Sequence, residues 1–233
     1  MTKLLSIGKD AKTIKGQKYG YLTGVLYLAP HKVSGHLVCP SASPGCIEAC
    51  LFTAGRGGMQ TAINGRIRKT RLLFEEKETF LLQLQRDIAA LVRKAEREGL
   101  IPLVRLNGTS DLAWEKMKLN GRSLMELFPE VQFYDYTKIR ARADKFARGN
   151  MPENYSLVFS LTESNDADAR KVLAAGAPIA AVFGGALPDT FLGAPVINGD
   201  EHDARVENMA AVVVGLSAKG RAKHDTSGFV RYA

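Results

Sequence analysis

The chain has 233 residues, of which 45% are hydrophobic and 24% are charged. These values are typical of a globular protein, and they exclude a wholly disordered chain. No apolar run approaches the ~18 residues of a membrane span, and the first 16 residues lack the apolar core of a signal peptide. We therefore predict a cytoplasmic protein that has no membrane partner.

The formal net charge of +8 is unevenly distributed along the chain. Residues 1–150 hold 25 Lys and Arg against 14 Asp and Glu, a net charge of +11. Residues 151–233 hold 7 against 10, a net charge of −3. This asymmetry favours an anionic partner at the N-terminal part, either a small anionic or nucleotide-like ligand or a nucleic acid. A solubilising surface charge explains the same numbers equally well.

Short apolar runs alternate with stretches of helical periodicity along the chain. The runs typical of strands are Tyr19–Leu28, Ile101–Leu106, Val131–Tyr136, Tyr155–Leu161, Ile179–Phe183, Pro195–Ile197 and Ala211–Gly215. Helices are predicted around the apolar stripe between Phe80 and Val92, over Arg140–Arg148, and over Asp166–Ala175, which Gly176 ends. The alternation predicts one α/β domain over residues 1–233, a full or partial (β/α) barrel of the TIM type. A doubly wound sheet is the alternative.

All three cysteines lie in one loop, which we predict over about residues 31–58, directly after the first predicted strand. Cys39, Cys46 and Cys50 fall within twelve residues. Pro40, Pro44 and Gly45 keep the intervening stretch out of regular structure. Cys46 and Cys50 are four residues apart, so one helical turn directs both thiols to the same side. Three clustered thiols in a chain without an export signal indicate a metal site.

The number of thiols restricts the metal. Three thiolates suit a [4Fe–4S] cluster, because its fourth iron then stays open to a substrate or a cofactor. A zinc ion needs a fourth protein ligand, for which His36 is the first candidate and His31 the second. Buried cysteines without any metal are the third alternative. Ligand chemistry and spacing favour the cluster.

Polar residues directly follow five of the predicted strands, where parallel βα folds place their sites. Among them we predict three catalytic residues, Asp111, Lys138 and Glu163. Five others are predicted to bind a cofactor, namely Asn107, Ser110, Ser160, Thr162 and Asn198. Near the last of these, Glu201, His202 and Arg205 are candidates for proton transfer.

The helix predicted after the cysteine loop is rich in arginine. Arg68 and Arg71 share a face with Asn64, so they are predicted to bind the carboxylate or phosphate of a ligand beside the metal. Arg66 and Lys69 are predicted to face solvent.

A three-cysteine loop after the first strand of a βα chain resembles the radical S-adenosylmethionine (SAM) superfamily. The resemblance implies a partial (β/α)₆ barrel, a [4Fe–4S] cluster held by the three cysteines, and SAM bound to the fourth iron. The chain resembles more closely a phage-encoded family with a Cys-Pro…Cys…Cys loop, a following Gly-Arg segment and an Arg-rich helix. The matching residues here are Cys39-Pro40, Cys46, Cys50, Gly55-Arg56 and Arg66–Arg71. For a phage-encoded protein the expected location is the host cytoplasm.

Two features depart from the radical SAM pattern. Six and then three residues separate the cysteines, where the superfamily has three and then two, and Ala49 replaces an aromatic residue. The second predicted strand ends in Asn107–Asp111 instead of a Gly-Gly-Glu-like contact to the SAM amine. Three functions therefore stay open: a radical SAM-like enzyme acting on an anionic or nucleotide-related substrate, a [4Fe–4S] protein whose open iron binds substrate or sulfide directly, and a basic nucleic-acid-binding protein with a structural zinc.

Overall fold

Ten strands form one sheet in the part of the chain that the computed structural model describes, residues 3–8, 11–202, 204 and 210–232. The strands are β1 Leu5–Ile7, β2 Tyr21–Leu26, β3 Ile101–Arg105, β4 Gln132–Thr137, β5 Tyr155–Ser160, β6 Ile179–Phe183, β7 Thr190–Phe191, β8 Ala194–Asn198, β9 Val213–Ser217 and β10 Val230–Arg231. The helices are α1 Ala11–Gln17, α2 Pro44–Glu48, α3 Gln60–Glu75, α4 Lys77–Glu98, α5 Leu124–Leu127, α6 Arg140–Ala147 and α7 Asp166–Ala174. Short 3₁₀ turns cover Leu51–Thr53, Gly55–Gly58, Trp114–Lys116 and Gly220–His224.

The sheet is mostly parallel. Its strand order is β1-β2-β3-β4-β5-β6-β9-β8-β7, and β10 pairs with β6. Only the β1–β2 and β7–β8 pairs are antiparallel. Each of the seven apolar runs overlaps one of the strands, which confirms the prediction of a mixed α/β fold with a mostly parallel sheet.

The cysteine loop follows β2, the strand predicted within Tyr19–Leu28, but this strand is the second of the sheet and not the first. The first strand is β1, which has three residues and pairs antiparallel with β2. Asp87 of α4 holds it in place by accepting hydrogen bonds from the N–H groups of Leu4 and Leu5. Three residues are too few to show an alternating pattern, and for the same reason the two-residue strands β7 and β10 escaped prediction.

Helix α4 supplies much of the core on one face of the sheet. Its apolar stripe, Phe80, Leu84, Ile88 and Leu91, is fully buried, as its spacing predicts. The helix ends at Gly99, whose left-handed conformation (φ 65°) allows its N–H to cap the last turn. Among the described helices, none is long and apolar enough to cross a membrane.

The opposite face of the sheet is also covered. Leu103 and Tyr134 pack with Ala204, which belongs to the segment after β8, and Val158, Ala180 and Val214 form a second cluster. Parallel strands that are buried on both faces consist of nearly continuous apolar residues. This explains why the sequence shows apolar runs instead of a strict polar–apolar alternation.

The two ends of the strand order approach each other through side chains. The Lys12 ammonium of α1 donates a hydrogen bond to Gly199 O at 2.9 Å and forms an ion pair of 2.9 Å with Asp200. Both of these residues follow β8. The Tyr19 hydroxyl, just before β2, donates to the Glu201 carboxylate at 3.0 Å. No strand pair joins these ends within the described residues, so the hydrogen-bonded path of the sheet is open there. The closed or partial barrel stays a prediction.

Strand β10 brings the C-terminal region to the carboxyl ends of the central strands. Because β9 pairs with β6 along its whole length, β10 pairs with Val182 and Phe183 on the edge that β5 leaves free. Arg231 then donates a hydrogen bond of 2.6 Å to Thr162 O, directly after β5.

Replacing Leu84 by Ala should lower the free energy of unfolding by about 2–5 kcal/mol, because the side chain is fully buried and its loss leaves a cavity. Arg86→Ala, at an exposed position of the same helix, is the control and should change it by less than about 0.5 kcal/mol. Urea denaturation of both variants measures the difference. Equal stabilities would contradict the placement of α4 on the sheet.

Candidate metal centre

The three cysteines lie together in the long loop between β2 and α3. Cys46 is part of α2, while Cys39 precedes this helix and Cys50 follows it. All three are free and partly buried. Burial raises the pKa of Cys39 to about 11, and the nearby charges of Cys50 and Cys46 add to this rise against a backbone hydrogen bond from His31. Burial likewise raises the pKa of Cys50, with Cys46 contributing. The thiols are thus close enough to affect one another's ionisation.

The Cys39 side of the loop is fixed by the segment that follows β3. The N–H of Asp111 donates to Val38 O at 2.8 Å, and the Thr109 hydroxyl donates to Leu28 O at 2.5 Å. The Cys39 thiol donates to Thr109 O at 3.8 Å, and the His31 N–H donates to Cys39 Sγ at 3.4 Å.

The Cys46 side of the loop is fixed by the segment that follows β5. Ser43 is the N-cap of α2, and its hydroxyl oxygen accepts a hydrogen bond from the Cys46 N–H at 3.2 Å. Glu163 accepts hydrogen bonds from the Ser43 hydroxyl at 2.6 Å and from the Gly45 N–H at 2.9 Å. Burial works against the ionised form of Glu163, but these hydrogen bonds outweigh it and lower its pKa.

Two cations lie beside Cys50. Lys138 and Arg66 both favour the Cys50 thiolate, although burial outweighs them and the pKa of Cys50 is raised. The Lys138 ammonium lies 5.8 Å from the centre of the Phe229 ring, and it forms no ion pair in the described part of the chain. The Arg66 guanidinium stacks on Tyr27 at 5.1 Å and donates to Phe52 O at 3.1 Å.

The arginine near the thiols is therefore Arg66, which the sequence analysis assigned to solvent. Arg68 and Arg71 are exposed, and the Arg71 guanidinium donates to Ser34 O at 3.3 Å. Helical spacing contains the signal for Arg66, because it precedes the fully buried Thr70 by four residues. The ligand-binding role of Arg68 and Arg71 stays a prediction.

The predicted site residues after β3 are committed to a buried polar network. Asn107 donates to Asp135 through both its backbone N–H (2.7 Å) and its side chain (3.1 Å). The Asn107 side-chain oxygen accepts from the Ser110 hydroxyl and the Trp114 indole. Asp111 forms an ion pair of 3.0 Å with Arg142 and accepts from the Lys138 N–H at 2.7 Å. These side chains thus support the loop from within the protein.

Asp135 lies at the centre of that network and is fully buried. Besides Asn107, it accepts a hydrogen bond from the Tyr155 hydroxyl at 2.9 Å. Burial raises the pKa of Asp135 to about 7, against the hydrogen bonds and the charges of Arg105 and Arg142. Arg142 also pairs with Glu115 at 2.9 Å, which raises the arginine pKa against its burial.

The remaining predicted residues are distributed around the strand ends. Ser160 O accepts from the Asn165 side chain, and the buried Thr162 is linked to Arg231 through its carbonyl. Asn198 is exposed at the end of β8, and its side chain accepts from the Asp200 N–H. Asp200 pairs with Lys12 and Lys219, which lower its pKa against burial. Arg205 and Asp203 lie outside the described residues.

A small recess lies between the cysteine loop and the C-terminal region. Its volume is about 250 Å³, and its lining residues are Glu48, Ala49, Arg221, His224, Asp225 and Thr226. Beneath it, Ala49 packs against Ala222 and Val230. The C-terminal region therefore packs against the end of α2, between Cys46 and Cys50.

The candidate metals differ in the ligands that they need. Among the described residues, no group of three or more His, Cys, Asp or Glu is placed to hold one metal ion. His36, the fourth zinc ligand considered above, stacks on Phe74 with ring centres 4.5 Å apart and lies 3.6 Å from the Glu75 carboxylate. A cubane cluster attaches each thiolate to a different iron, so it requires wider spacing than a single ion. Three mutually interacting free thiols fit that donor set.

Replacing Asp135 by Asn should change the pH dependence of stability. Between the unfolded pKa of about 4 and the folded pKa of about 7, the folded state retains a proton that the unfolded state has lost. The wild-type protein therefore loses stability as the pH rises through this range, by about 1.4 kcal/mol per unit of pKa shift at most, whereas Asn does not titrate. Urea denaturation should show the stability advantage of the wild type shrinking from pH 4.5 to 7.5. An advantage that grows with pH would mean that the pKa is lowered. Exposed Glu130→Gln is the control.

No curated protein and no solved structure matches the sequence. The model of the family described as Gene product 88 matches residues 3–233. This match supports the phage-encoded part of the resemblance and contains nothing that points to radical SAM enzymes. Because it spans nearly every residue, the chain belongs to the phage-encoded Gene product 88 family.

Proposed function

We propose that this protein binds a [4Fe–4S] cluster through Cys39, Cys46 and Cys50 and is an enzyme that acts on an anionic or nucleotide-related substrate. The observation that carries the proposal is the convergence of three free, mutually interacting thiols from one loop. That loop is attached to the segments following β3 and β5, so the thiols lie where parallel βα folds place their sites.

The donor set favours the cluster over zinc. Three thiols leave one iron of a cubane without a protein ligand, whereas a structural zinc site has four protein ligands. His36 is engaged with Phe74 and Glu75. His31 lies beside Cys39, to which its N–H donates, but in the described part of the chain it is not grouped with the cysteines around one ion. A bound cluster would supply one open iron position and a one-electron redox centre.

Lys138 and Arg66 supply positive charge beside the thiols. They offset the negative charge that three thiolates and a cluster bring to a partly buried site, and they attract an anionic ligand to its open side. Lys138 is the better candidate for binding a carboxylate or a phosphate, because its ammonium has no carboxylate partner in the described chain.

Two forms of the enzyme differ in what binds the open iron. In the radical SAM-like form, SAM binds there and is cleaved reductively. In the second form, substrate or sulfide binds the iron directly. One observation favours the second form: the Asn107 side chain, where the superfamily has its SAM amine contact, already bonds Asp135, Ser110 and Trp114.

Anaerobically prepared protein should contain about four irons and about four sulfides per chain, with absorption near 400 nm. Replacing any one of the three cysteines by Ala should remove most of this chromophore, because each thiolate binds a separate iron. Ser41→Ala, at an exposed position of the same loop, should leave it intact and serves as the control. Stoichiometric zinc without sulfide would refute the cluster.

Reducing the cluster-containing protein in the presence of SAM distinguishes the two forms of the enzyme. Release of 5′-deoxyadenosine identifies the radical SAM-like form. If SAM neither binds nor is cleaved, while added hydrosulfide changes the electron paramagnetic resonance spectrum of the cluster, the second form is correct.

The positive charge near Cys50 is testable in metal-free protein with two alkylating reagents of similar size. The positive charge should raise the rate at which anionic iodoacetate alkylates Cys50, relative to the rate with neutral iodoacetamide. Lys138→Met should reduce the ratio of these two rates by about two- to fivefold. High salt should reduce the wild-type ratio in the same direction. Lys116→Met, an exposed lysine after β3, is the control. A ratio that Lys138→Met leaves unchanged would exclude an electrostatic role of Lys138 at this site.

A further inference from the structure

The cysteine loop is attached to the sheet at two separate points. Cys39 is held by the segment after β3, through Thr109 and Asp111. Helix α2, which contains Cys46, is held by the segment after β5, through Glu163. The distance between these two thiols therefore depends on both attachments.

The Glu163 carboxylate is the main contact of the second attachment. One of its oxygens accepts from the Gly45 N–H, and the other accepts from the Ser43 hydroxyl. The same hydroxyl oxygen caps the Cys46 N–H. One carboxylate thus fixes the start of α2, where unpaired N–H groups favour a negative charge.

Glu163 and Ser227 pack closely against Gly45. A methyl group added at Gly45 would lie 2.8 Å from Glu163 Oε2 and would clash with the Ser227 hydroxyl as well. The backbone at Gly45 is not left-handed, so a side chain there would act by displacing the Glu163 and Ser227 side chains. The side chains of Glu163 and Ser227 thus both pack against Gly45.

From this geometry we infer that Glu163 is a positioning residue, which sets the place of the Cys46 thiol relative to Cys39 and Cys50. The sequence analysis predicted a catalytic role for Glu163. Both oxygens of its carboxylate are engaged with the loop, which assigns Glu163 to the loop and away from a reacting substrate. Its effect on metal binding rests on the proposed function, whereas its effect on Cys46 does not.

The first experiment uses full-length, metal-free protein and mass spectrometry of iodoacetamide labelling at each cysteine. Glu163→Ala and Gly45→Ala should each speed the labelling of Cys46 by about fivefold, because both release the start of α2. Cys39 should keep its wild-type rate, since its supports are untouched. The double variant should label no faster than the single ones, because both changes break the same contact.

Matched controls test whether the effect is specific to this contact. Glu153→Ala removes an exposed carboxylate just before β5, and Gly65→Ala adds a methyl group where no atom lies within 4 Å. In both variants each cysteine should react with iodoacetamide at the wild-type rate. Unchanged labelling of Cys46 in Glu163→Ala and Gly45→Ala, or equal acceleration at all three cysteines, would overturn the inference.

The second experiment follows the cluster in the loaded protein. Glu163→Ala should lose iron to a chelator about fivefold faster than Glu153→Ala and should give a stronger three-iron signal in electron paramagnetic resonance after mild oxidation. Equal rates and equal signals would overturn the effect on the cluster. If the wild-type protein assembles no cluster, the proposed function fails, and the labelling experiment still decides the role of Glu163.

Discussion

The buried carboxylate of Asp135 orders the part of the structure that holds Cys39. It binds the backbone and the side chain of Asn107, and Asn107 in turn gathers Ser110, Leu112 and Trp114 around its own oxygen. A buried carboxylate is stable only when its hydrogen bonds are satisfied, so the loop after β3 has one well-defined conformation. Asp111 therefore lies where its N–H reaches Val38, next to Cys39.

The same loop couples the cysteines to the neighbouring strand. The Asp111 carboxylate bridges the buried Arg142 of α6 and the backbone N–H of Lys138 at the end of β4. Lys138 is thereby fixed on the side of the site where it affects Cys50. Three strand ends, those of β3, β4 and β5, thus cooperate in a site whose three thiols all come from another loop.

Apolar periodicity was sufficient to predict seven of the ten described strands, and their polar ends were expected at one edge because parallel strands share one direction. Lys138 and Glu163 were found in this way. The direction of each side chain was harder to predict, since a residue at a strand end can face a ligand, the core or a neighbouring loop. Asn107 binds the carboxylate of Asp135, which lies two residues before the end of β4. Glu163 binds the loop that follows β2. Such partners, 28 and 118 residues away, leave no local pattern in the sequence.

Charge balance explains why the thiols and the cations occur together. Burial raises the pKa of the Cys39 and Cys50 thiols and keeps them protonated near neutral pH, so the loop avoids the cost of two buried anions. Binding a metal requires these protons to leave, and the thiolates then need compensating positive charge. The Arg66 guanidinium stacks on Tyr27 and Phe52, and the Lys138 ammonium lies against the Phe229 ring. An aromatic ring orients a cation without neutralising it, so the Lys138 charge stays available to a thiolate or to an anionic ligand.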